Sequence, residues 1–223
     1  MLCATDIHKS YDLPVLRGVT LEAKPGEIVG IAGANGSGKS TLLSIITSVS
    51  KPDKGTVTLD GKPVTARKIR ENIGFAAQDE ALFGRLSVED NLRFWSAALK
   101  TMFDKRIYDP TFLRKKVDNL SGGMRRRLSI IIAQLHDPQY LIMDEPTAEL
   151  DIYYRGEVMR GIRQRKDQGK SVIMTTHNMH ELLLCDRIYI IKDGVFAYAG
   201  APAVLGHDEQ AFTDSMHSVL GYA

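Results

Sequence analysis

Residues 27–46 read EIVGIAGANGSGKSTLLSII, and this stretch decides the fold. Its first part, residues 27–32, is apolar on both faces, as is typical of a strand in a parallel sheet covered by helices. A glycine-rich turn follows at residues 33–38. The apolar spacing after the turn predicts a helix. The apolar face of that helix consists of Leu42, Leu43, Ile45, Ile46 and Val49.

The glycine-rich turn fits the phosphate-loop (Walker A) pattern G-x-x-x-x-G-K-[ST] without a mismatch, and it has the strand and helix that the pattern requires. The matching residues are Gly33, Ala34, Asn35, Gly36, Ser37, Gly38, Lys39 and Ser40. In such a loop, backbone N–H groups and the helix N-terminus surround a phosphate. The pattern predicts that Lys39 reaches the β- and γ-phosphates and that Ser40 binds Mg²⁺. A glycine-rich turn with a chance Lys-Ser pair is the alternative, and the flanking elements disfavour it.

Two carboxylates follow a second buried apolar strand at residues 140–143. Burying carboxylates is costly unless they hold a metal or a proton. We therefore expect Asp144 to bind Mg²⁺, directly or through water. Glu145 is the candidate that polarises a water for attack on the γ-phosphate. A strand that simply turns polar at the surface is the alternative.

A Ser-Gly-Gly sequence at Ser121, Gly122 and Gly123 precedes a predicted helix over residues 124–134. Such a helix start forms a second anion-binding N-terminus, although on its own it is more often only a helix start. One nucleotide does not need two such sites from one chain, whereas a head-to-tail dimer would use both. The predicted apolar face of this helix is Leu128, Ile131, Ile132 and Leu135.

The remaining pattern alternates strands and helices, which predicts an α/β fold with a mainly parallel sheet. Strand-like sequence up to about residue 60, with a hairpin turn at Asp60-Gly61, predicts an antiparallel β portion at the N-terminus. A capping pattern at Ser87 opens a helical stretch. We predict one domain over 1–223, with a core at about 1–84 and 138–223 and a short helical insertion at about 85–137.

The charge balance gives a formal net charge of +2, from 29 Lys and Arg against 27 Asp and Glu. This weak excess argues against a nucleic-acid binder, and residues 125–127, all Arg, are interpreted as the solvated face of a helix.

Two cysteines, Cys3 and Cys185, are too few for a disulfide framework. No run reaches about 18 apolar residues, and no signal core is present. The prediction is a cytosolic, reduced protein.

Taken in chain order, the motifs resemble the nucleotide-binding subunit of ATP-binding cassette (ABC) transporters, over essentially the whole chain. They are the phosphate loop at 33–41, Gln78, the Leu-Ser-Gly-Gly at 120–123, the acidic strand at 141–145, Leu150-Asp151 and Thr175-Thr176-His177. The resemblance implies a phosphate-loop NTPase core and binding of ATP with Mg²⁺.

The resemblance also assigns roles to single residues. Tyr11 would stack on adenine, although it could be an edge-strand aromatic, and Thr41 completes the phosphate loop. Gln78 would link Mg²⁺ and the attacking water to the transmembrane partner; a solvated turn residue is the alternative. His177 would contact the γ-phosphate, or it is a structural histidine. Asp151 belongs to a loop that crosses the dimer interface.

The remaining roles complete a two-chain site. Ser121, Gly122 and Gly123 would contact the γ-phosphate held by the opposite subunit. The predicted catalytic residues are Glu145, His177, Lys39 and Gln78, and the predicted metal ligands are Ser40, Gln78 and Asp144.

The implied function is an ATPase subunit that forms a homo- or heterodimer around Mg-ATP and drives a separate transmembrane permease subunit. It would lie on the cytoplasmic face of the cell membrane. Export is favoured because Met124 follows the Leu-Ser-Gly-Gly sequence and no regulatory domain follows the core. A groove for the permease is predicted at 79–95, around Leu82, Phe83 and Trp95. A soluble ABC ATPase that assembles cofactors or complexes is the alternative.

Two departures from the family pattern bear on dimer closure. Glu149 stands where a small residue is usual, and it adds a carboxylate near the expected phosphates. The helical part between Gln78 and Ser121 is shorter than is common in the family.

Overall fold

A computed structural model of the protein describes residues 1–78, 81–206 and 208–221. Its strands are β1 (Leu2–Ser10), β2 (Pro14–Ala23), β3 (Ile28–Gly33), β4 (Lys54–Leu59), β5 (Lys62–Pro63), β6 (Ile73–Ala76), β7 (Tyr140–Asp144), β8 (Ser171–Thr175), β9 (Arg187–Lys192) and β10 (Val195–Gly200). Its α-helices are α1 (Lys39–Ile46), α2 (Ala66–Asn72), α3 (Val88–Ala98), α4 (Pro110–Arg114), α5 (Gly122–Gln134), α6 (Ile152–Asp167), α7 (Met179–Leu183) and α8 (Glu209–Leu220).

A six-stranded sheet in the order β10-β9-β3-β8-β7-β6 forms the centre of the fold. Its pairs are parallel except for β10 with β9. Every residue of β3 is buried. Val29 and Ile31 pack on one side of the sheet and Ile28 and Ala32 on the other, because successive side chains of a strand point to opposite faces. The predicted mainly parallel α/β fold is confirmed.

An antiparallel sheet in the order β2-β1-β4-β5 covers one face of the central sheet, with α1 packed in the same hydrophobic cluster. The predicted hairpin joins β4 to β5. Its two turn residues, Asp60 and Gly61, have φ values of +49° and +73°, as a type I′ turn requires. Helices α6, α7 and α8 pack on the opposite face of the central sheet.

Helix α1 is shorter than its apolar pattern predicts. Leu42, Leu43, Ile45 and Ile46 are buried as expected. The assignment of Val49 to this face is wrong, because α1 ends at Ile46 and Val49 is 72% exposed.

Helices α3, α4 and α5 share a separate hydrophobic cluster that contains Val88, Leu92, Phe112 and Leu128. As predicted, Ser87 caps α3, and its Oγ accepts a hydrogen bond from the N–H of Asp90. None of the helices in the described ranges combines the length and apolar character needed to cross a membrane.

Helix α5 packs on two sides rather than one. The predicted face of Leu128, Ile131, Ile132 and Leu135 lies in the helical cluster. A second face, with Ile130 and Ala133, packs against the central sheet. Arg126 shares this second face at helical spacing and is 6% exposed, so its predicted place on a solvated face is wrong. The reason is that α5 lies between the helical cluster and the strands β6 and β7.

Candidate functional site

A cleft of about 560 Å³ opens where the loops leave the carboxyl ends of the parallel strands. In open α/β sheets this edge is the usual place for a ligand. The structure brings most of the predicted site residues together here. The cleft is lined by Tyr11, Val15, Asn35, Gly36, Gly38, Lys39, Ser40, Thr41, Gln78, Glu145 and His177.

The phosphate loop connects β3 to α1, and two of its glycines are needed for its path. Gly33 has a φ of +151°, and a Cβ there would collide with the backbone carbonyl of Ile191 on β9. Gly38 has a φ of +106° at the position that caps α1, which glycine adopts without steric cost. Because Gly38, Lys39 and Ser40 line the cleft, the N-terminus of α1 opens directly into it.

Lys39 folds back over the loop and is 6% exposed. Its Nζ donates hydrogen bonds to the carbonyl oxygens of Gly33 (2.8 Å) and Ala34 (3.0 Å). Burial lowers the pKa of the Lys39 ammonium, and the carboxylates of Glu145 and Asp144 act in the opposite direction. The buried ammonium of Lys39 thus lies near the carboxylates of Glu145 and Asp144. This combination of charges suits the binding of a phosphate together with a divalent metal ion.

The predicted metal ligands provide only oxygen donors, namely the hydroxyl of Ser40, the carboxylate of Asp144 and the amide of Gln78. Asp144 is 4% exposed, beneath the cleft. Within the described ranges, no three His, Cys, Asp or Glu side chains form a metal cluster. This donor set fits Mg²⁺, which usually keeps several waters and binds through one or two carboxylates together with substrate phosphates.

The carboxyl end of β7 has a fixed geometry. Asp144 pairs in register with Thr175 of β8, and the Thr175 hydroxyl donates to Oδ1 of Asp144 (2.5 Å). The same Thr175 oxygen accepts a hydrogen bond from the N–H of Glu145 (2.8 Å). Glu145 has a φ of +51°, a conformation uncommon for a residue with a side chain. This turn directs its carboxylate to the cleft, where Oε1 lies 3.0 Å from Nε2 of His177.

Two buried charged residues beside this strand end were missed by the sequence analysis. The Arg126 guanidinium donates hydrogen bonds to the carbonyl oxygens of Ala77 and Asp144. Glu181, on α7, is 2% exposed and accepts hydrogen bonds from the hydroxyls of Thr147 (2.5 Å) and Thr176 (2.6 Å). The helical spacing of Arg126 with Ile130 and Ala133 could have indicated that Arg126 is buried. No local sequence pattern indicates that Glu181 is buried.

The Ser-Gly-Gly sequence lies in a different hollow, of about 300 Å³. Ser121 caps α5, and its Oγ accepts from the N–H of Met124. Asp151 caps α6 in the same way, through the N–H of Tyr154. Among the residues that the structure describes, none lines both this hollow and the cleft. The hollow is lined by Ser121, Gly122, Gly123, Met124, Glu149, Leu150, Asp151 and Tyr154.

The carboxylate of Glu149 lies at the start of α5. A Cβ placed on Gly122 would stand 2.5 Å from Oε2 of Glu149. Glu149 itself has a φ of +63°. The negative charge thus sits beside the positive end of the helix, which is the expected position of an anion.

The strand order, the phosphate loop and the acidic end of β7 define a phosphate-loop NTPase. The sequence model of the family described as ABC transporter matches residues 16–148, more than half of the chain. The chain belongs to this family, as one of its ATP-binding domains. The family and the fold class inferred from the motifs are both confirmed.

Known proteins agree with this assignment. The chain is 36% identical over 208 residues to the linearmycin resistance ATP-binding protein LnrL of Bacillus subtilis (strain 168), covering 87% of this chain and 67% of the relative. It is 35% identical over 213 residues to the Nod factor export ATP-binding protein I of Rhizobium etli, covering 89% of this chain and 67% of the relative. The dimeric ATP-binding cassette MJ0796, in a post-hydrolysis state bound to ADP and Pi, has a TM-score of 0.81 at 26% identity and covers 90% of this chain and 98% of its own.

Proposed function

We propose that this chain hydrolyses ATP as a subunit of an exporter, dimerising around Mg-ATP and driving a separate transmembrane subunit. The observation that carries the proposal is the separation of two anion-binding helix starts. The N-terminus of α1 opens into the cleft, and that of α5 opens into the other hollow. A second subunit of the same kind, identical or related, brings its α5 against the nucleotide in the first subunit's cleft.

The cleft supplies the groups that one Mg-ATP needs. The backbone N–H groups of residues 33–41, the N-terminus of α1 and Lys39 neutralise and hold the phosphates. Tyr11, which is 62% exposed at the rim, offers its ring to the adenine. Ser40, Gln78 and Asp144 hold Mg²⁺, which supplies further neutralisation of phosphate charge.

Hydrolysis requires an activated water in line with the γ-phosphate. Glu145 orients this water and takes its proton, and the 3.0 Å contact with Nε2 of His177 fixes the direction of the carboxylate. Removing a positioned general base typically slows a reaction by about 10² to 10⁴-fold. In the dimer, Ser121, Gly122, Gly123 and Asp151 face the nucleotide of the opposite chain.

An exposed aromatic surface at α3 and the segment before it supports a protein partner. Phe83 and Phe94 are 41% and 48% exposed, and their ring centroids lie 4.7 Å apart. Trp95 completes the group at 5.4 Å from Phe94. The fully buried side chain of Asn91 holds the Phe83 backbone through two hydrogen bonds, one at its N–H and one at its carbonyl. Residues 79–80 of the predicted groove lie outside the described ranges.

This surface, which we call the aromatic surface (Phe83, Phe94 and Trp95), is the proposed contact for the transmembrane subunit. The ATPase would then lie on the cytoplasmic face of the membrane. Export as the direction is supported by the names of the relatives, which refer to antibiotic resistance and to Nod factor export.

The first test is phosphate release from Mg-ATP by the wild type, Glu145→Gln and Lys39→Ala. Glu145→Gln is expected to abolish turnover and to accumulate as an ATP-bound dimer by light scattering. Lys39→Ala is expected to lose ATP affinity. Turnover by Glu145→Gln at the wild-type rate would overturn the assignment of the base.

The partner is tested with tagged Glu145→Gln and Mg-ATP, added separately to solubilised membranes and to cytosol. A multi-span membrane protein recovered only from the membrane fraction supports the transporter. Recovery of soluble partners alone would move the assignment to an ABC ATPase that assembles complexes.

A further inference from the structure

Arg126 connects α5 to the carboxyl ends of two neighbouring strands, β6 and β7. Its guanidinium donates hydrogen bonds to the carbonyl of Ala77, the residue after β6, and to the carbonyl of Asp144, the last residue of β7. The next residue after each carbonyl is a proposed catalytic residue, Gln78 or Glu145. One side chain of the helical segment therefore contacts the backbone that carries two functional groups of the core.

The peptide group between Asp144 and Glu145 is held at both ends. Its N–H donates to the Thr175 hydroxyl at 2.8 Å, and its carbonyl accepts from Arg126. A peptide group with both polar atoms fixed cannot rotate freely, so the φ of +51° at Glu145 is maintained. The direction of the Glu145 carboxylate depends on this peptide plane.

We propose that Arg126 is a positioning residue that couples the phosphate-contacting end of α5 to Glu145 and Gln78 of the same chain. This inference rests on the proposed function. Arg126 lies five residues after Ser121, about 7.5 Å along the helix at 1.5 Å per residue. Since a helix moves as a rigid element over this length, docking of α5 on the partner's nucleotide shifts the guanidinium with it.

The consequence is communication between the two nucleotides of the dimer. The nucleotide bound by one chain contacts α5 of the other chain, and Arg126 of that other chain then orients its own Glu145. Each site becomes competent only after the opposite site is filled, which is a coupling between two distinct sites.

The competing explanation is that Arg126 is a buried side chain that only stabilises the fold. The chain contains a second buried arginine that serves as a comparison for this explanation. Arg165 on α6 is also 6% exposed, and its guanidinium donates to the carbonyl of Pro138. Pro138 lies just before β7 begins, at the strand end away from Glu145. Arg165 therefore has the same exposure and also donates to a backbone carbonyl, but it donates to one carbonyl instead of two and pairs with Asp137 at 3.7 Å. It is not among the described residues that line the cleft.

The test compares Arg126→Gln, Arg126→Lys and Arg165→Gln for kcat, KM, ATP binding and urea unfolding. Misplaced catalytic groups cost up to about 100-fold, so Arg126→Gln is expected to lower kcat by about tenfold to 100-fold. ATP affinity should stay within about twofold of the wild type, because the loss concerns orientation and not binding. The Hill coefficient for ATP should fall towards one. Arg126→Lys, which keeps a cation and a donor, should recover part of kcat.

Arg165→Gln should lose comparable stability but keep its kcat and Hill coefficient. Equal kcat losses in Arg126→Gln and Arg165→Gln would show that Arg126 only stabilises the fold, and would overturn the coupling. An Arg126→Gln defect in ATP affinity alone would overturn it as well. A wild type that releases no phosphate contradicts the proposed function itself, so the two failures are distinct.

Discussion

Nε2 of His177 lies 3.0 Å from Oε1 of Glu145, although the two residues follow different strands of the central sheet. We expect His177→Ala to lower kcat by about tenfold to 100-fold, because the carboxylate then loses a partner that fixes its direction. ATP affinity should change little. Phosphate release and equilibrium nucleotide titration measure the two quantities. His180→Ala is the control, since His180 is 72% exposed and pairs with Glu209. Equal activity of the two variants would contradict the role of His177.

Thr175 holds the end of β7 with a single hydroxyl. Thr175→Val keeps the shape but removes the donor to Asp144 and the acceptor for the N–H of Glu145. We expect a loss of about 1–3 kcal/mol in the free energy of unfolding, because buried polar groups are left unsatisfied, together with slower turnover. Urea unfolding and phosphate release measure the effects. Thr175→Ser should behave nearly as the wild type, and a Ser variant as damaged as Val would refute this account.

Glu149 places a negative charge where the proposed dimer brings a phosphate. Glu149→Gln removes the charge. It leaves the conformational cost of holding this residue at a φ of +63° nearly unchanged. A charge at a helix N-terminus is worth about 0.3–1 kcal/mol, so half-maximal dimerisation should need about two- to fivefold less ATP. Light scattering in the Glu145→Gln background measures this shift. The control is Glu157→Gln, a carboxylate on α6 that pairs with Arg160. No shift relative to this control would contradict the prediction.

The aromatic surface is the proposed contact with the membrane subunit. Phe94→Asp should abolish recovery of that subunit in the pull-down, because it places a charge in an apolar contact. Basal ATP hydrolysis should remain within about twofold of the wild type, since Phe94 does not line the cleft. Val204→Asp is the control, as Val204 is 75% exposed elsewhere on the surface. Retained binding by Phe94→Asp would place the contact on another surface.

Acid should weaken the fold through His136. Burial lowers the pKa of His136, and the guanidinium of Arg165 acts in the same direction. The unfolded chain binds the proton more readily, so this residue's stabilising effect is full above the unfolded pKa near 6.5 and is lost as the pH falls through the folded pKa. His136→Gln should therefore show a flatter decline in stability between pH 7 and 5, by at most about 1.4 kcal/mol per pH unit. Urea unfolding at both pH values measures this, with His180→Gln as the exposed control. Equal slopes in all three proteins would contradict it.

The local motifs of the chain could be predicted because their geometry is set by neighbours in sequence. The phosphate loop is a strand, a turn and a helix in immediate succession, and the turn at Asp60-Gly61 is set by its own two residues. Arg126 was placed wrongly because its burial depends on strand ends that are 49 and 18 residues away. Glu181 carried no signal for a similar reason: one of its two partners, Thr147, lies 34 residues away, and the nearer partner, Thr176, forms no recognisable motif with it. Contacts of that kind become visible only when the sheet is assembled.

The separation of the cleft from the hollow of Ser121 has a genetic consequence in the proposed dimer. A damaged Lys39 spoils the nucleotide site of the chain that carries it, whereas a damaged Ser121 spoils the site of its unaltered partner. In a cell that expresses both forms, an allele changed at Ser121 would therefore interfere in trans with normal copies. Two alleles, one changed at Lys39 and one at Ser121, would combine both lesions in one site of the mixed dimer. Every residue of the other site would be unaltered, but under the coupling inferred above that site would become active only when the damaged site is filled.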